Sequence, residues 1–194
     1  MKTTLFNPEN YTRSPWKNGG GIFTDIADAH RADAPRKDWD SLLWRFASTP
    51  ILAPGPFSHM PGIDRLQMVV EGRGLVLKSP TQEFDEREPF TTVRFTGEDQ
   101  IVTALEAGPV EVVNLMARRG AAEIDLLALK QPGEWHLGAG THLVYAPRGE
   151  CRIRLDNEEF AIPRTGTLKL ELAAPSQLAL VAGLAVLGSI RLLV

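Results

Sequence analysis

The sequence is poor in the residues that build metal centres and disulfides. It has a single cysteine, Cys151, among 194 residues, which excludes an intrachain disulfide and any multi-cysteine zinc or iron–sulfur site. Its four histidines are scattered, and no two of them have the spacing of a metal-ligand pair: His30, His59, His136 and His142. We therefore expect neither a metal nor another cofactor.

An excess of positive charge and a long apolar run are also missing. The chain has 21 Lys and Arg against 24 Asp and Glu, a net charge of −3, which does not suit a protein that grips a nucleic-acid backbone. The one membrane-like run, residues 178–190, is shorter than the ~20 residues that a helix needs to cross a bilayer. The first residues lack the apolar segment of a secretory signal. We expect a cytoplasmic protein that binds neither nucleic acid nor a membrane.

Catalytic motifs and helical periodicity are absent as well. The chain has no Gly-x-Ser-x-Gly elbow, no His-Glu-x-x-His and no phosphate-loop pattern. No long stretch has apolar residues at positions i, i+3, i+4 and i+7, so we expect little helix.

The chain does have many short apolar segments separated by 17 Gly and 14 Pro. The segments predicted as strands are 44–48, 66–70, 75–77, 91–95, 101–104, 110–116, 122–128, 142–146, 151–155, 167–172, 177–181 and 184–193. Many short strands with short turns predict an all-β fold, an antiparallel sandwich or barrel. The turn Gly72-Arg73-Gly74 predicts a hairpin between 66–70 and 75–77. Arg118-Arg119-Gly120 marks the predicted junction between the halves of the chain.

Three polar strings stand out from this pattern. In Trp16-Lys17-Asn18-Gly19-Gly20-Gly21, the glycines allow close backbone approach and the Lys and Asn suit an anion, although a flexible turn explains the string equally well. In the string from Gly55 to Arg65, Arg65 suits a carboxylate, and an ion pair with Asp64 is the alternative. In Val110 to Met116, alternation puts Asn114 and Met116 on one face, where a buried Asn needs a partner from the backbone or from a ligand.

Taken in order, these strings resemble the HutD/Ves family of cupin-like proteins. The matching positions are Trp16 to Gly21 with Asp25-Ile26, Trp44-Arg45, Gly55 to Ser58, Pro61-Gly62, Asp64-Arg65, Gly72 to Gly74, Gly108 to Val110, Asn114 to Met116 and Arg118-Arg119. They span residues 16–119.

The resemblance implies a bicupin-like fold of RmlC-like cupin architecture, with two antiparallel β-barrel or sandwich halves. The first half, 1–119, would hold a ligand pocket, and the second, 120–194, would be degenerate. The family is linked to histidine utilisation, in a regulatory rather than catalytic role, with urocanate or formiminoglutamate as ligands. Metal-binding cupins use His-x-His with a Glu and a later His, whereas this chain offers only His59 there. The site is therefore expected to be free of metal.

Our leading hypothesis is a protein that binds a small carboxylate. In this hypothesis Lys17, Arg45 and Arg65 pair with the carboxylate, Asn18, Ser58 and Asn114 donate or accept hydrogen bonds, and Trp44, Phe57 and Met116 form apolar walls. Two alternatives stay open. One is a metal-independent enzyme acting on a small polar acid, with His59 or Glu71 as the acid–base group. The other is an interaction module without a ligand that forms a homodimer through its sheet edges.

Two departures from the family pattern bear on the ligand. Phe23-Thr24 stands where the family has a cation before the acidic residue, and Val112-Val113 stands where it often has a carboxylate. If these positions face the pocket, we expect a ligand that differs from the one typical of the family.

Overall fold

A computed structural model describes residues 1–15, 22–34 and 38–193. Across these residues the chain forms eighteen strands and one short 3-10 helix, η1 (Pro8–Asn10). The strands are β1 (Lys2–Phe6), β2 (Thr12–Pro15), β3 (Ile22–His30), β4 (Leu42–Ile51), β5 (Ile63–Glu71), β6 (Leu75–Lys78), β7 (Glu83–Glu86), β8 (Thr92–Thr96), β9 (Val102–Leu105), β10 (Val110–Arg118), β11 (Ala122–Leu129), β12 (Gly133–Leu137), β13 (Gly140–Tyr145), β14 (Cys151–Leu155), β15 (Glu158–Ile162), β16 (Thr167–Leu172), β17 (Ser176–Ala182) and β18 (Ala185–Leu192). The predicted all-β class is confirmed. None of the described residues form a helix long and apolar enough to span a membrane.

The contacts divide the chain into two units. The terminal unit consists of Met1–Tyr11 and Asp125–Leu192, and the central unit consists of Thr12–Ile124 together with Leu193. This division differs from the predicted halves, 1–119 and 120–194, mainly at the N-terminus. There β1 pairs antiparallel with β16, and the Tyr11 hydroxyl donates to the Thr165 carbonyl oxygen at 2.9 Å. The first eleven residues are thereby held by the last third of the chain.

The terminal unit contains a five-stranded sheet in the order β1-β16-β13-β18-β11 and a four-stranded sheet in the order β12-β17-β14-β15. Strict alternation explains how its strands bury one face: in β14, Cys151, Ile153 and Leu155 are buried while Arg152 and Arg154 are exposed. Buried side chains from both sheets form one apolar core. Burial raises the pKa of Cys151 to about 11, so this thiol is a structural residue of the core.

The central unit contains a six-stranded sheet in the order β2-β3-β4-β10-β5-β8 and a three-stranded sheet in the order β7-β6-β9. Apolar side chains from both sheets, among them Val69, Leu75 and Val112, pack into a second core. The middle strands β4, β5 and β10 are buried along almost their whole length. Polar side chains in the middle of these strands are therefore largely shielded from solvent.

The predicted hairpin between 66–70 and 75–77 is wrong. Residues 66–70 lie in β5, which pairs with β10 and β8, whereas β6 pairs with β7 and β9 in the other sheet. Gly72 and Gly74 have φ values of +96° and +92°, which L side chains rarely adopt. The two glycines carry the chain from one sheet to the other rather than back along the same sheet.

Candidate functional site

A cavity of about 490 Å³ lies in the central unit. Its walls come from one face of β4, β5 and β10, from Phe23 on β3, and from the loop that joins β4 to β5. The volume is in the range of pockets that hold small molecules.

Strand register explains why four polar side chains gather in this wall. Met116 of β10 lies opposite Arg45 of β4 on one side and opposite Arg65 of β5 on the other. Asn114, two residues earlier on the same face, lies opposite Gln67 of β5. Since directly opposed residues on one face have Cβ atoms about 4.5–5.5 Å apart, the sheet itself assembles this polar cluster.

The charge of Arg45 is compensated inside the protein. Its guanidinium forms an ion pair with the Asp25 carboxylate of β3. Its Cζ also lies 4.1 Å from the ring centroid of Phe23 and 5.0 Å from that of Trp39. Burial raises the pKa of Asp25, and the Arg45 charge opposes that rise. Arg45 thus stabilises the cavity rim, and because Asp25 neutralises its charge, it offers little net charge to a ligand.

The guanidinium of Arg118, at the end of β10, donates its hydrogen bonds to backbone carbonyl groups. Its Nε donates to the Leu42 carbonyl oxygen at 3.0 Å, and its Nη2 donates to the carbonyl oxygen of Trp39. These two bonds fix the segment before β4, which supplies Trp39 and Asp40 to the cavity wall.

Arg65 is different, because the buried Glu86 attracts its charge but forms no ion pair with it. It is 8% exposed, and within the described part of the chain no carboxylate lies within ion-pair distance of it. Its Nη2 donates to Asn114 Oδ1 at 3.1 Å, while its buried Nε has no hydrogen-bond partner. Its Cζ lies 4.9 Å from the ring centroid of Phe57 and 4.8 Å from that of Phe95. Burial lowers the pKa of Arg65 to about 10, which leaves it a cation at neutral pH.

A buried carboxyl group lies behind this wall. Gln67, which is fully buried and borders the cavity, donates from Nε2 to Glu86 Oε2 at 2.8 Å. Glu86 is also fully buried, and its Oε1 and the Oε1 of Gln67 have no hydrogen-bond partner. Burial raises the pKa of Glu86 to about 8, a rise that the Gln67 hydrogen bond and the Arg65 charge only partly offset. Glu86 is therefore largely protonated at neutral pH.

The structure brings six of the predicted site residues together in the cavity wall: Arg45, Phe57, Ser58, Arg65, Asn114 and Met116. Trp44 is buried but does not border the cavity, because alternation along β4 turns it away from the face that carries Arg45. Lys17 and Asn18 lie outside the described residues.

The structure also locates the other residues that the sequence analysis singled out. Asp64 does not pair with its neighbour Arg65 but accepts a hydrogen bond from Arg119 Nε at 2.9 Å. His59 borders the cavity from an exposed loop position, while Glu71 does not border it. Of the two departures from the family pattern, Phe23 and Val112 face the cavity, but Thr24 and Val113 do not. A change at Thr24 therefore does not probe the ligand directly.

Sequence reasoning missed four side chains that shape the site: Trp39, Gln67, Glu86 and Arg118. Gln67 and Arg118 carried a usable signal, since period-2 alternation places Gln67 on the face of Arg65 and Arg118 on the face of Asn114. Glu86 carried none, because it ends a charged segment, Glu83-Phe84-Asp85-Glu86, that is typical of an exposed strand.

Metal-ligating side chains do not cluster in the part of the chain that the structure describes. No group of three or more His, Cys, Asp or Glu there is placed to hold an ion. What the cavity does offer is a buried cation, neighbouring amide groups and aromatic rings.

Comparison with known proteins agrees with the resemblance seen in the sequence. The family model described as HutD matches residues 8–187. An uncharacterised 21.2 kDa protein from the hutC 3′ region of Pseudomonas putida is 27% identical over 155 residues, which cover 80% of this chain and 79% of the relative. Protein Ves from Citrobacter koseri is 24% identical over 155 residues, which cover 70% of this chain and 75% of the relative. The solved structure of HutD from Pseudomonas fluorescens SBW25 superposes with a TM-score of 0.80 at 22% identity, covering 98% of this chain and 99% of that one.

Proposed function

Because the chain belongs to the HutD family, we propose that it binds a small carboxylate in the cavity of the central unit and that this binding regulates histidine utilisation. Urocanate and formiminoglutamate are the candidate ligands. The link to histidine utilisation is supported by the P. putida relative from the hutC 3′ region. The fold of a solved HutD supports the use of the same scaffold.

One observation carries the proposal: Arg65 is a buried guanidinium in the cavity wall that forms no ion pair with a carboxylate of the described residues. A buried charge is costly unless it is paired, so a cation in this position favours an anion in the cavity. Arg45 and Arg118 do not compete for that role, since Asp25 and two backbone carbonyls already hold them. A carboxylate suits Arg because its two oxygens accept from the planar guanidinium in parallel.

The surroundings of Arg65 favour a ligand with a flat apolar part. Phe57 and Phe23 present aromatic rings to the cavity, and Met116 lies between the two arginines in the strand register. Asn114 holds the Arg65 guanidinium through Oδ1, which fixes its orientation before a ligand arrives. Urocanate combines a carboxylate with a planar ring, and therefore fits these walls.

Thermal unfolding with urocanate, formiminoglutamate and formate tests the proposal. A ligand that binds only the folded state, present at 100 times its Kd, should raise the Tm by about 5–10 °C. Because the proposed site uses side chains alone, a chelator should leave the shift unchanged.

The substitution Arg65→Met assigns any shift to the site. It removes the charge but keeps an unbranched side chain of similar reach, and we expect the affinity for the stabilising acid to fall by about 10- to 100-fold. Arg73→Met, which removes an exposed arginine of the same unit, is the matched control and should bind like the wild type.

Other outcomes favour the other two functions. Turnover of an acid that is lost in His59→Ala would favour an enzyme. Concentration-dependent mass without stabilisation by any acid would favour the interaction module and contradict the carboxylate site.

A further inference from the structure

Glu86 is a buried carboxyl group that the proposed binding reaction does not yet use. It lies at the end of β7, opposite Leu75 of β6, and does not itself border the cavity. Its one hydrogen bond to a side chain runs to Gln67, which does border the cavity on the strand face that carries Arg65. Gln67 thus connects the carboxyl group to the wall where the anion would bind.

We propose that Glu86 sets the charge of the Arg65 site: an anion binds when Glu86 is protonated, so the ionised form of Glu86 takes up a proton from solvent as an anion binds and releases it when the anion leaves. This inference rests on the proposed carboxylate function and adds to it a specific ligand class: the cavity takes an anion together with a proton.

In the orientation observed, the Gln67 amide donates to Glu86 and lowers its pKa, whereas the opposite orientation of the amide suits the protonated form. Oε1 of Gln67 and Oε1 of Glu86 are both buried acceptors without a donor. A proton on Glu86 supplies the missing donor once the Gln67 amide turns over, because Gln67 Oε1 then accepts from the carboxyl O–H.

Electrostatics couples the two events. Glu86 and a bound anion act on the same cation, Arg65, and the attraction between Arg65 and Glu86 is one of the influences on the pKa of Glu86. An anion at Arg65 cancels that attraction and adds repulsion, both of which favour the neutral acid. Burial, partly offset by hydrogen bonds from Gln67 and the Val69 backbone and by the Arg65 charge, places the pKa of Glu86 at about 8, so the added effect acts within an accessible pH range.

Other charged groups near Glu86 face away from it. Asp85 and Arg87, its neighbours in the chain, are exposed and pair with each other at 2.9 Å. Lys78 of β6 is exposed and pairs with Glu83 at 3.4 Å. Arg94 of β8 donates to the Ile124 carbonyl oxygen at 2.9 Å, and Glu71 at the end of β5 is exposed. Within the described chain, Arg65 is the charged group that acts on Glu86.

Formate is the probe for the test, since it stays ionised and carries no second titrating group in the range used. Its Kd is measured for the wild type at pH 7, 8 and 9 at constant ionic strength. We expect the affinity to fall by about tenfold between pH 7 and pH 9, because above its pKa Glu86 must take up a proton for each anion bound. The variant Glu86→Gln cannot titrate, and its Kd should change by less than about twofold over the same range.

Two control variants separate this effect from other titrations. Glu83→Gln removes an exposed charge from the same strand and should keep the pH dependence of the wild type. His59→Gln removes the histidine of the cavity wall and should also keep it. Wild type and Glu86→Gln losing affinity in parallel, or a wild-type Kd that does not change with pH, would overturn the role of Glu86 while leaving the carboxylate site intact. Formate failing to bind at any pH would overturn both.

A proton count on the wild type decides the matter if Glu86→Gln does not fold. Saturating formate, adjusted to pH 8, is added to unbuffered protein in a pH-stat. Uptake of about half a proton per chain is expected when the pKa of the unliganded group is near that pH. Binding without proton uptake would contradict the inference.

Discussion

At the scale of single residues, burial decides which charges the protein can use. Arg45 and Arg65 are each 8% exposed and lie on either side of Met116, yet among the described residues a carboxylate forms an ion pair with Arg45 and none does with Arg65. Two arginines at equivalent strand positions thus differ in whether their charge is neutralised by an ion pair. Arg45 holds β3 and the rim through Asp25, and Arg65 is the arginine that we propose binds the ligand.

The raised pKa of Glu86 predicts a dependence of stability on pH. In the unfolded chain a Glu titrates near pH 4.3, whereas in the folded protein the pKa of Glu86 is about 8. Between these values the folded state binds the extra proton, so Glu86 lowers the free energy of unfolding as pH rises and adds no further loss above pH 8. The stability gained by Glu86→Gln over the wild type should grow by about 1.4 kcal/mol per pH unit between pH 5.5 and 7.5.

Urea unfolding of both proteins at half-unit pH steps measures this difference, with Glu83→Gln as the exposed control. A difference that stays constant from pH 5.5 to 9 would show that Glu86 is ionised in the folded state throughout.

The sequence could predict part of the residue-level picture. Arg65 could be singled out from the sequence because it directly precedes an apolar segment, and Asn114 because it interrupts one. Both are polar residues on buried strands. Glu86 could not be singled out, because its burial depends on β5 and β6 covering a short charged strand. Contacts of this kind, between segments distant in the chain, leave no local sequence pattern.

At the scale of elements, strand partners were harder to predict than strands. The strands β4, β5 and β10 could be predicted from their apolar composition. In contrast, β7 contains one apolar residue, Phe84, and forms because it pairs with the edge of β6. The glycine turn after β5 was a correct signal for a change of direction. It did not specify the sheet that β6 would join, since that depends on contacts distant in the chain.

Gly74 makes this element-level change of sheet possible. Its φ is +92°, and a Cβ there would lie 2.3 Å from the Arg87 carbonyl oxygen, next to Glu86. Gly108 has a similar φ of +78° but no atom within 4 Å of its would-be Cβ. Gly108→Ala should therefore cost about 1–3 kcal/mol from backbone strain alone, and Gly74→Ala should cost clearly more or prevent folding.

Chemical denaturation of the two variants in parallel provides the measurement. Equal losses for Gly74→Ala and Gly108→Ala would contradict the close approach of this turn to β7.

At the scale of the whole molecule, the sequence predicted the fold class and the family but not the pairing of the N-terminal strand. The pairing of β1 with β16 joins residues more than 150 positions apart, and nothing in Lys2–Phe6 encodes that partner. The predicted boundary after residue 119 and the bicupin arrangement remain predictions. The residues of the candidate site could be singled out from the sequence, because Arg65, Asn114 and Phe57 all lie within the segment that resembles the HutD family.

The most direct test of the central claim is a crystal structure of the protein grown with formate, compared with one of Arg65→Met grown the same way. We predict a carboxylate with its oxygens about 2.7–2.9 Å from the Arg65 guanidinium nitrogens in the wild type and none at that position in the variant. Formate bound elsewhere in the cavity, or bound equally in both proteins, would contradict the assignment of Arg65 as the anion-binding residue.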